Sequence, residues 1–184
     1  MKSIGIFFGT DTGTTRLIAK KIARALKKRI GDDQVATPIN INRATLEELQ
    51  AYKALIIGTP TYGEGQLPGK ASQNQAESWL EFLPQLQSQD FTGKPIALYG
   101  LGDQEEYPDT FLDGMRDLYS AFAETGAKMI GSSPTEGFEF KHSRAVEQDQ
   151  FIGLALDQQL QHLLTDKRIE LWLDEVAPKL IDVS

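Results

Sequence analysis

Apolar runs of strand length alternate with amphipathic helical segments along this chain. Residues 54–58 are apolar at every position, and residues 96–100 have the composition of a second buried strand. Such runs are typical of parallel strands that are covered on both faces. The alternation predicts an α/β fold in which one parallel sheet carries helices on both faces. A chain of 184 residues can bury a full core, so we expect one domain over residues 1–184.

Five strands in a chain of this size favour the sheet order 2-1-3-4-5, with a ligand crevice at the carboxyl ends of strands one and three. The polar residues 132–150 interrupt the last strand and are interpreted as an insertion that splits it. The predicted strands are 4–9, 35–39, 54–58, 96–100 and 128–131 resuming at 151–156, and the predicted helices are 15–30, 45–50, 78–86, 110–126 and 166–180.

The first strand leads directly into a loop of hydroxyls and glycine that opens the first helix. Backbone N–H groups and the positive end of the helix dipole make such a junction an anion site. Gly13 permits close backbone approach, but neither the dinucleotide fingerprint nor the lysine of a P-loop is present. The alternatives are a phosphate site and an ordinary strand-to-helix turn. The hydroxyl donors of this loop are Thr10, Thr12, Thr14 and Thr15.

Two further loops follow the third and fourth strands and meet the first loop at the same edge of the predicted sheet. They carry Tyr62 and Tyr107. Two aromatic rings from different loops can clamp a flat ring on both faces. A planar ligand with a phosphate tail is indicated, although each tyrosine could also be a loop residue that caps the sheet.

Cysteine is absent, which excludes disulfides, thiolate-bound zinc and iron–sulfur clusters. Any redox chemistry must therefore use an organic cofactor. The two histidines, His142 and His162, are expected at the surface, which argues against histidine-based catalysis or a metal site.

The net charge of −7 is unevenly distributed. Residues 16–30 hold seven basic and no acidic residues, so the other 12 basic and 26 acidic residues leave a charge of −14 elsewhere. Such a surface favours a basic protein partner and disfavours nucleic acid and anionic membranes. With no apolar run near the ~20 residues of a membrane span and no signal-peptide pattern, we expect a cytoplasmic protein.

The segments TDTGTT, TPTYGEG, YGLGDQEEYPD and FIGLALD, taken together and in this order, resemble the flavodoxins. The split fifth strand resembles their long-chain group, and the resemblance covers essentially the whole chain. It implies an electron-transfer protein, not an enzyme, that carries FMN and shuttles at low potential between semiquinone and hydroquinone.

The resemblance also implies which residues contact FMN. The loop from Thr10 to Thr15, including Asp11, would hold the phosphate, and Tyr62 and Tyr107 would stack on the ring. Thr14 stands where many members have lysine, and Tyr62 where tryptophan or leucine is common. The isoalloxazine would be contacted by Thr59, Pro60, Thr61, Tyr62, Gly63, Leu101, Gly102 and Asp103, and the ribityl region by Asp157.

Negative charge near the flavin should lower its potential, because full reduction makes the ring anionic. The candidates are Asp11, Glu64, Asp103, Glu105, Glu106 and Asp109. Glycine at position 63 would allow a peptide flip toward the flavin, since it tolerates φ > 0. The acids would also form a rim that docks a basic redox partner.

ININR, TPTYGEGQLPG and ESWLEFLP look most like nitrogen-fixation flavodoxins, which implies the nitrogenase iron protein as acceptor. The alternative is a general-purpose flavodoxin that serves ferredoxin–NADP reductase, a flavodoxin reductase or pyruvate–flavodoxin oxidoreductase, and a monomer is expected. An FMN-dependent quinone or nitro reductase is the enzyme alternative. A phosphoacceptor signalling domain would need acids after the first strand and a lysine after the fifth, where Gly9-Thr10 and Leu156-Asp157 stand.

Overall fold

A parallel sheet forms the centre of the structure, a computed structural model that describes residues 2–9 and 13–182. The strands are β1 (Ile4–Phe8), β2 (Ile39–Asn40), β3 (Ala54–Pro60), β4 (Pro95–Leu101), β5 (Lys128–Ile130), β6 (Ser133–Pro134), β7 (Val146–Glu147), β8 (Gln150–Phe151) and β9 (Leu154–Leu156). The sheet order is β2-β1-β3-β4-β5, with β9 also paired to β4, which confirms the predicted order and fold class.

Helices cover both faces of this sheet. They are α1 (Thr14–Ile30), α2 (Leu46–Ala51), α3 (Trp79–Phe82), α4 (Asp113–Ala123) and α5 (Thr165–Ile181). Alternate residues of β1 face opposite sides: Ile6 joins the core beneath α1 and α5, whereas Phe7 joins the core beneath α2, α3 and α4. Within the described ranges, no helix is long and apolar enough to cross a bilayer.

The last strand is split, as predicted. β5 pairs with the first half of β4 and β9 with the second, both in parallel, so the two segments form one interrupted edge strand. Only glycine fits at position 153, just before β9, because an added Cβ there would lie 2.6 Å from the carbonyl oxygen of Leu98. The insertion between them forms a small antiparallel sheet in the order β6-β8-β7.

Three predicted boundaries are wrong for identifiable reasons. Strand 35–39 is reduced to a bridge at Val35 and the two residues of β2, because Pro38 has no N–H to donate. Helix 78–86 is α-helical only over Trp79–Phe82 and continues as 3₁₀ helix, with Pro84 in the first turn of that segment. Helix 110–126 begins only at Asp113, because Leu112 is left-handed, with φ 60°.

One cross-sheet contact sets the position of α1. Gly58 on β3 lies opposite Tyr99 on β4, and any side chain at Gly58 would overlap the tyrosine ring. The ring therefore crosses β3, and its hydroxyl donates to the Thr15 carbonyl oxygen at 3.0 Å. Complete burial raises the pKa of Tyr99 well above its usual value, so this hydroxyl remains a donor. The first turn of α1 is thereby held over the carboxyl edge of the sheet.

Candidate functional site

An open groove of about 250 Å³ lies at the carboxyl edge of the sheet, where the loops after β1, β3, β4 and β9 meet. Nine predicted site residues line it together, which supports the prediction that three loops build one site. Its lining is Thr14, Thr15, Pro60, Thr61, Tyr62, Leu101, Gly102, Asp103, Glu106, Tyr107, Gln158 and Gln159.

The amino end of α1 forms one end of this groove. Its N-cap is Gly13, which is left-handed (φ 92°, ψ −6°) and has no side chain to cap the helix, and the first turn contains no acid. An added Cβ on Gly13 would meet no atom of the described residues within 4 Å. An anion can therefore approach the backbone and the positive end of the dipole. The predicted phosphate ligands Thr10, Asp11 and Thr12 lie outside the described residues.

A buried hydroxyl near this end was not predicted from the sequence. Ser78 is almost fully buried, and its Oγ has no hydrogen-bond partner among the residues that the structure describes. A Cβ built on Gly9, where β1 enters the loop, would lie 2.5 Å from this oxygen.

The Tyr62 loop is a short hairpin. Tyr62 and Gln66 exchange backbone hydrogen bonds of 2.7 and 2.8 Å, and the Gly65 N–H donates to the Tyr62 carbonyl at 3.0 Å. Gly63, at the exposed tip, has φ 44°. The Gly114 N–H donates to Thr61 Oγ1 at 3.1 Å, which fixes the base of the loop to α4.

The Tyr107 loop is organised by Asp103. Its Oδ1 accepts the N–H groups of Glu105 and Glu106 at 3.1 and 2.9 Å, and its carbonyl accepts the Tyr107 N–H at 2.9 Å. This turn places Tyr107 against the groove and leaves both glutamates exposed. The predicted acidic rim therefore lies directly beside the groove.

The insertion supports the Tyr107 loop from outside. The Pro108 carbonyl accepts the N–H groups of Lys141 and His142 at 2.8 and 2.9 Å. Farther along, the Arg144 N–H donates to Asp113 Oδ1 at 2.7 Å. Burial raises the pKa of Asp113, while the Arg144 N–H opposes that rise. Residues far from the groove in sequence thus hold the loop that carries Tyr107.

Asp157 corrects one prediction. It is completely buried, and its Oδ1 accepts the N–H groups of Gln159 and Leu160 at 3.1 and 2.9 Å. Its Oδ2 accepts the backbone N–H and Nε2 of Gln104 at 3.1 and 2.8 Å. The carboxylate is therefore used in joining two loops, not in contacting a ribityl chain, and its neighbours Gln158 and Gln159 line the groove instead.

Three other predicted residues lie away from the groove surface. Thr59 is fully buried and its Oγ1 donates to the Pro60 carbonyl at 2.8 Å, so the predicted contact of its side chain with a ring is wrong. Gly63 and Asp109 are exposed and outside the lining.

The remaining arrangement suits a flat aromatic ligand whose anionic tail reaches α1 and whose ring lies beside Tyr62 and Tyr107.

Comparisons with known proteins agree with this geometry. The family model described as "Flavodoxin" matches residues 6–172. A Klebsiella pneumoniae flavodoxin is 51% identical over 176 residues, which cover 96% of this chain and 97% of that protein. Flavodoxin 1 of Escherichia coli K12 is 38% identical over 183 residues, with coverages of 98% and 96%. The crystal structure of Fusobacterium nucleatum flavodoxin bound to flavin mononucleotide superposes with a TM-score of 0.84 at 36% identity, covering 97% of this chain and 99% of that one.

Proposed function

Because the chain belongs to the flavodoxin family of FMN-binding electron carriers, we propose that its groove holds FMN and that the protein passes single electrons between redox proteins. The observation that carries this proposal is the meeting of two tyrosines and an acid-free helix N-terminus in one groove. When bound, FMN supplies a ring that accepts and releases electrons one at a time.

Each end of the groove has a distinct task in this proposal. The backbone from Gly13, with the hydroxyls of Thr10, Thr12, Thr14 and Thr15, holds the phosphate. Tyr62 and Tyr107 exclude water from the two faces of the ring, while Thr61, Leu101, Gly102 and Asp103 orient its edge. The groove is open on one side, so a bound ring would be accessible to a redox partner there.

The charges beside the groove make the last reduction step unfavourable. Asp103, Glu105 and Glu106 lie within one turn, and Glu64 lies in the Tyr62 hairpin. One close charge contributes about 1 to 4 kcal/mol, between the limits of water and protein surface, and 1.4 kcal/mol is about 59 mV for a one-electron couple. Several charges together, with the aromatic faces, can lower the potential substantially.

Stepwise reduction of the purified protein tests the proposal. We expect a yellow protein that binds FMN one to one and whose second one-electron potential lies well below that of free FMN. Colourless protein that takes up no added FMN would contradict the proposal, as would a bound flavin no harder to reduce than the free one.

Gly63→Ala is expected to narrow the gap between the two one-electron potentials. Gly63 has φ 44°, and an added Cβ meets nothing within 4 Å, so alanine introduces backbone strain without a clash. The proposed flip turns a carbonyl of this tip toward the flavin while residue 63 keeps φ > 0, and a left-handed alanine costs that flipped form about 1–2 kcal/mol, roughly 40–90 mV in a one-electron potential. Spectroelectrochemical titration measures the gap. An unchanged gap would exclude a role of this peptide in redox tuning.

We further propose the nitrogenase iron protein as electron acceptor, with a reductase of the ferredoxin–NADP type as the alternative partner. One of two Klebsiella pneumoniae flavodoxins is 51% identical to this chain and the other only 39%, which supports membership in a specialised subgroup. Steady NAD(P)H oxidation by the isolated protein would favour a quinone reductase instead.

Charge reversal in the acidic rim, E105K/E106K, is expected to slow electron transfer to the iron protein at least tenfold at low ionic strength, because rim charges steer association. The double variant E124K/D182K changes the net charge equally at exposed positions near the carboxyl ends of α4 and α5, away from the groove. Stopped-flow rates should fall only for the first variant, and the difference should vanish at high salt. Equal rates for both variants at low salt would refute docking through this rim.

A further inference from the structure

Four exposed leucines lie on the two segments that border the groove at the start of α1 and after β9. We call Leu17, Leu160, Leu163 and Leu164 the leucine rim; their exposed fractions are 60%, 52%, 86% and 43%. Single exposed leucines are ordinary, whereas a contiguous apolar patch marks an interaction site. Three of the four fall within five residues of the chain, in the segment that links β9 to α5.

The leucine rim borders the groove directly. Leu160 follows the lining residue Gln159, and Leu17 lies two residues beyond the lining residue Thr15. The Lys21–Asp166 ion pair of 2.6 Å joins α1 to α5 near their amino ends. Leu17 lies one turn before Lys21, and Leu163 lies three residues before Asp166, so both segments meet at the same edge.

The segment that carries these leucines is held in a fixed conformation. The Leu160 N–H donates to Asp157 Oδ1, the Gln161 N–H to the Asp157 carbonyl at 3.0 Å, and the Leu164 N–H to the Gln161 carbonyl at 2.9 Å. Because Asp157 is buried, the turn is anchored to the core. The leucines are therefore displayed by ordered backbone and cannot withdraw without breaking this turn.

The two sides of the groove differ in charge. The Tyr107 side presents Glu105 and Glu106, whereas the exposed charged residues next to the leucine rim are the basic Arg16, Lys20 and Lys167, together with Asp166, which is paired. A basic partner surface placed over the leucine rim would be repelled, and an apolar one would not. A partner must therefore be basic where it meets the acidic turn and apolar where it meets the leucine rim.

We propose that the leucine rim is the apolar half of the docking surface for the redox partner, the iron protein of the proposed function on which this inference rests. A transient redox interface buries less than about 1,200 Å² in total, or about 600 Å² per partner, which is a disc of roughly 14 Å radius. Leu164 is five residues from Gln159, at most about 19 Å along an extended chain and less through these turns. Leu160 follows the lining residue Gln159 directly, so a partner that covers the groove also meets the leucine rim at Leu160, and the unlike chemistry of the acidic turn and the leucine rim favours one orientation.

The test replaces Leu160 and Leu163 together by glutamine, L160Q/L163Q. The matched control is L171Q/I181Q, which replaces two apolar residues of α5 with exposed fractions of 59% and 53%, one near the middle of the helix and one at its carboxyl end. Electron transfer from each reduced protein to the iron protein, and from the reductase to each oxidised protein, is measured at low and high ionic strength. FMN affinity and both potentials are measured in parallel.

We expect L160Q/L163Q to transfer electrons to the iron protein with a second-order rate constant about tenfold below that of the wild type at high ionic strength, where the charges of the acidic rim are screened. Its FMN affinity and potentials should equal those of the wild type, since neither leucine lines the groove. Unchanged rates, or an equal loss in the control, would overturn the inference. A lower rate with the reductase alone would mean that the reductase, and not the iron protein, docks on the leucine rim. If the wild-type protein binds FMN but exchanges electrons with neither partner, both the docking role of the leucine rim and the partner assignment are refuted. If it does not bind FMN, the proposed function itself is refuted.

Discussion

Gly13→Asp is expected to weaken FMN binding about a hundredfold, or about 2.8 kcal/mol, without destabilising the apoprotein. The new carboxylate would stand at the N-cap of α1, where the proposed phosphate binds, and repel it. The same charge interacts favourably with the helix dipole, which contributes about 0.5 kcal/mol to the apoprotein. Binding and stability should therefore change in opposite directions.

The matched control is Gly13→Asn, which has nearly the same shape without the charge. Both side chains tolerate the left-handed conformation of Gly13, and the Cβ that they share meets no atom within 4 Å in the part of the chain that the structure describes. Titration of each apoprotein with FMN, followed by flavin fluorescence, gives the affinity, and urea unfolding gives the stability. If both variants lost affinity equally, side-chain volume rather than charge would be responsible, and if neither variant lost affinity, the phosphate would not lie at this helix end.

Strand composition and turn residues are sufficient to predict the sheet. The buried runs in β3 and β4, and the resumption of the last strand after the polar insertion, lead to the order that the structure has. The short helix α2 is a second example, because its predicted start at Thr45 coincides with the N-cap and capping box of the structure. These features depend on local periodicity and local hydrogen bonds, which a sequence displays directly.

The sequence predicts at which edge of the sheet a loop lies, but not which of its side chains face the groove. Parallel strands bring their carboxyl ends together, so Tyr62 and Tyr107 could be expected in one groove, and they are. Which side chains of a loop face the groove depends on tertiary hydrogen bonds. Thr59 and Asp157 have groove-facing neighbours but are themselves buried, and no periodicity distinguishes them from those neighbours.

The supporting residues were missed for the same reason. Gln104 stands in an acidic, exposed-looking segment, yet it is buried and links three segments: its Nε2 donates to Asp157 and its Oε1 accepts the Glu139 N–H at 2.5 Å. Its partners lie 53 and 35 residues away in the chain. Only the packing of the insertion against the Tyr107 loop reveals them.

Asp157→Asn is expected to destabilise the protein by about 3 kcal/mol. The Asp157 carboxylate only accepts hydrogen bonds, and it thereby sets the orientation of the Gln104 amide that donates to it. The carboxylate accepts four N–H groups. An asparagine oxygen can still serve Gln159 and Leu160, but its NH₂ would then face both N–H donors of Gln104. Rotating the Gln104 amide would relieve one clash and create another at the Glu139 N–H.

Thermal unfolding of the holoprotein should show a midpoint lower by about 6–12 °C, given about 2–4 °C per kcal/mol for a domain of this size. The control is Asp109→Asn, which replaces an exposed aspartate in the loop that carries Gln104 and should leave the unfolding midpoint unchanged. In the double variant Q104E/D157N, the carboxylate introduced at position 104 can accept from both the amide NH₂ introduced at position 157 and the Glu139 N–H. Only the backbone N–H of residue 104 then remains opposed, so about half of the lost stability should return. A double variant no more stable than D157N would mean that the direction of the hydrogen bonds is not what holds the two loops beside the groove.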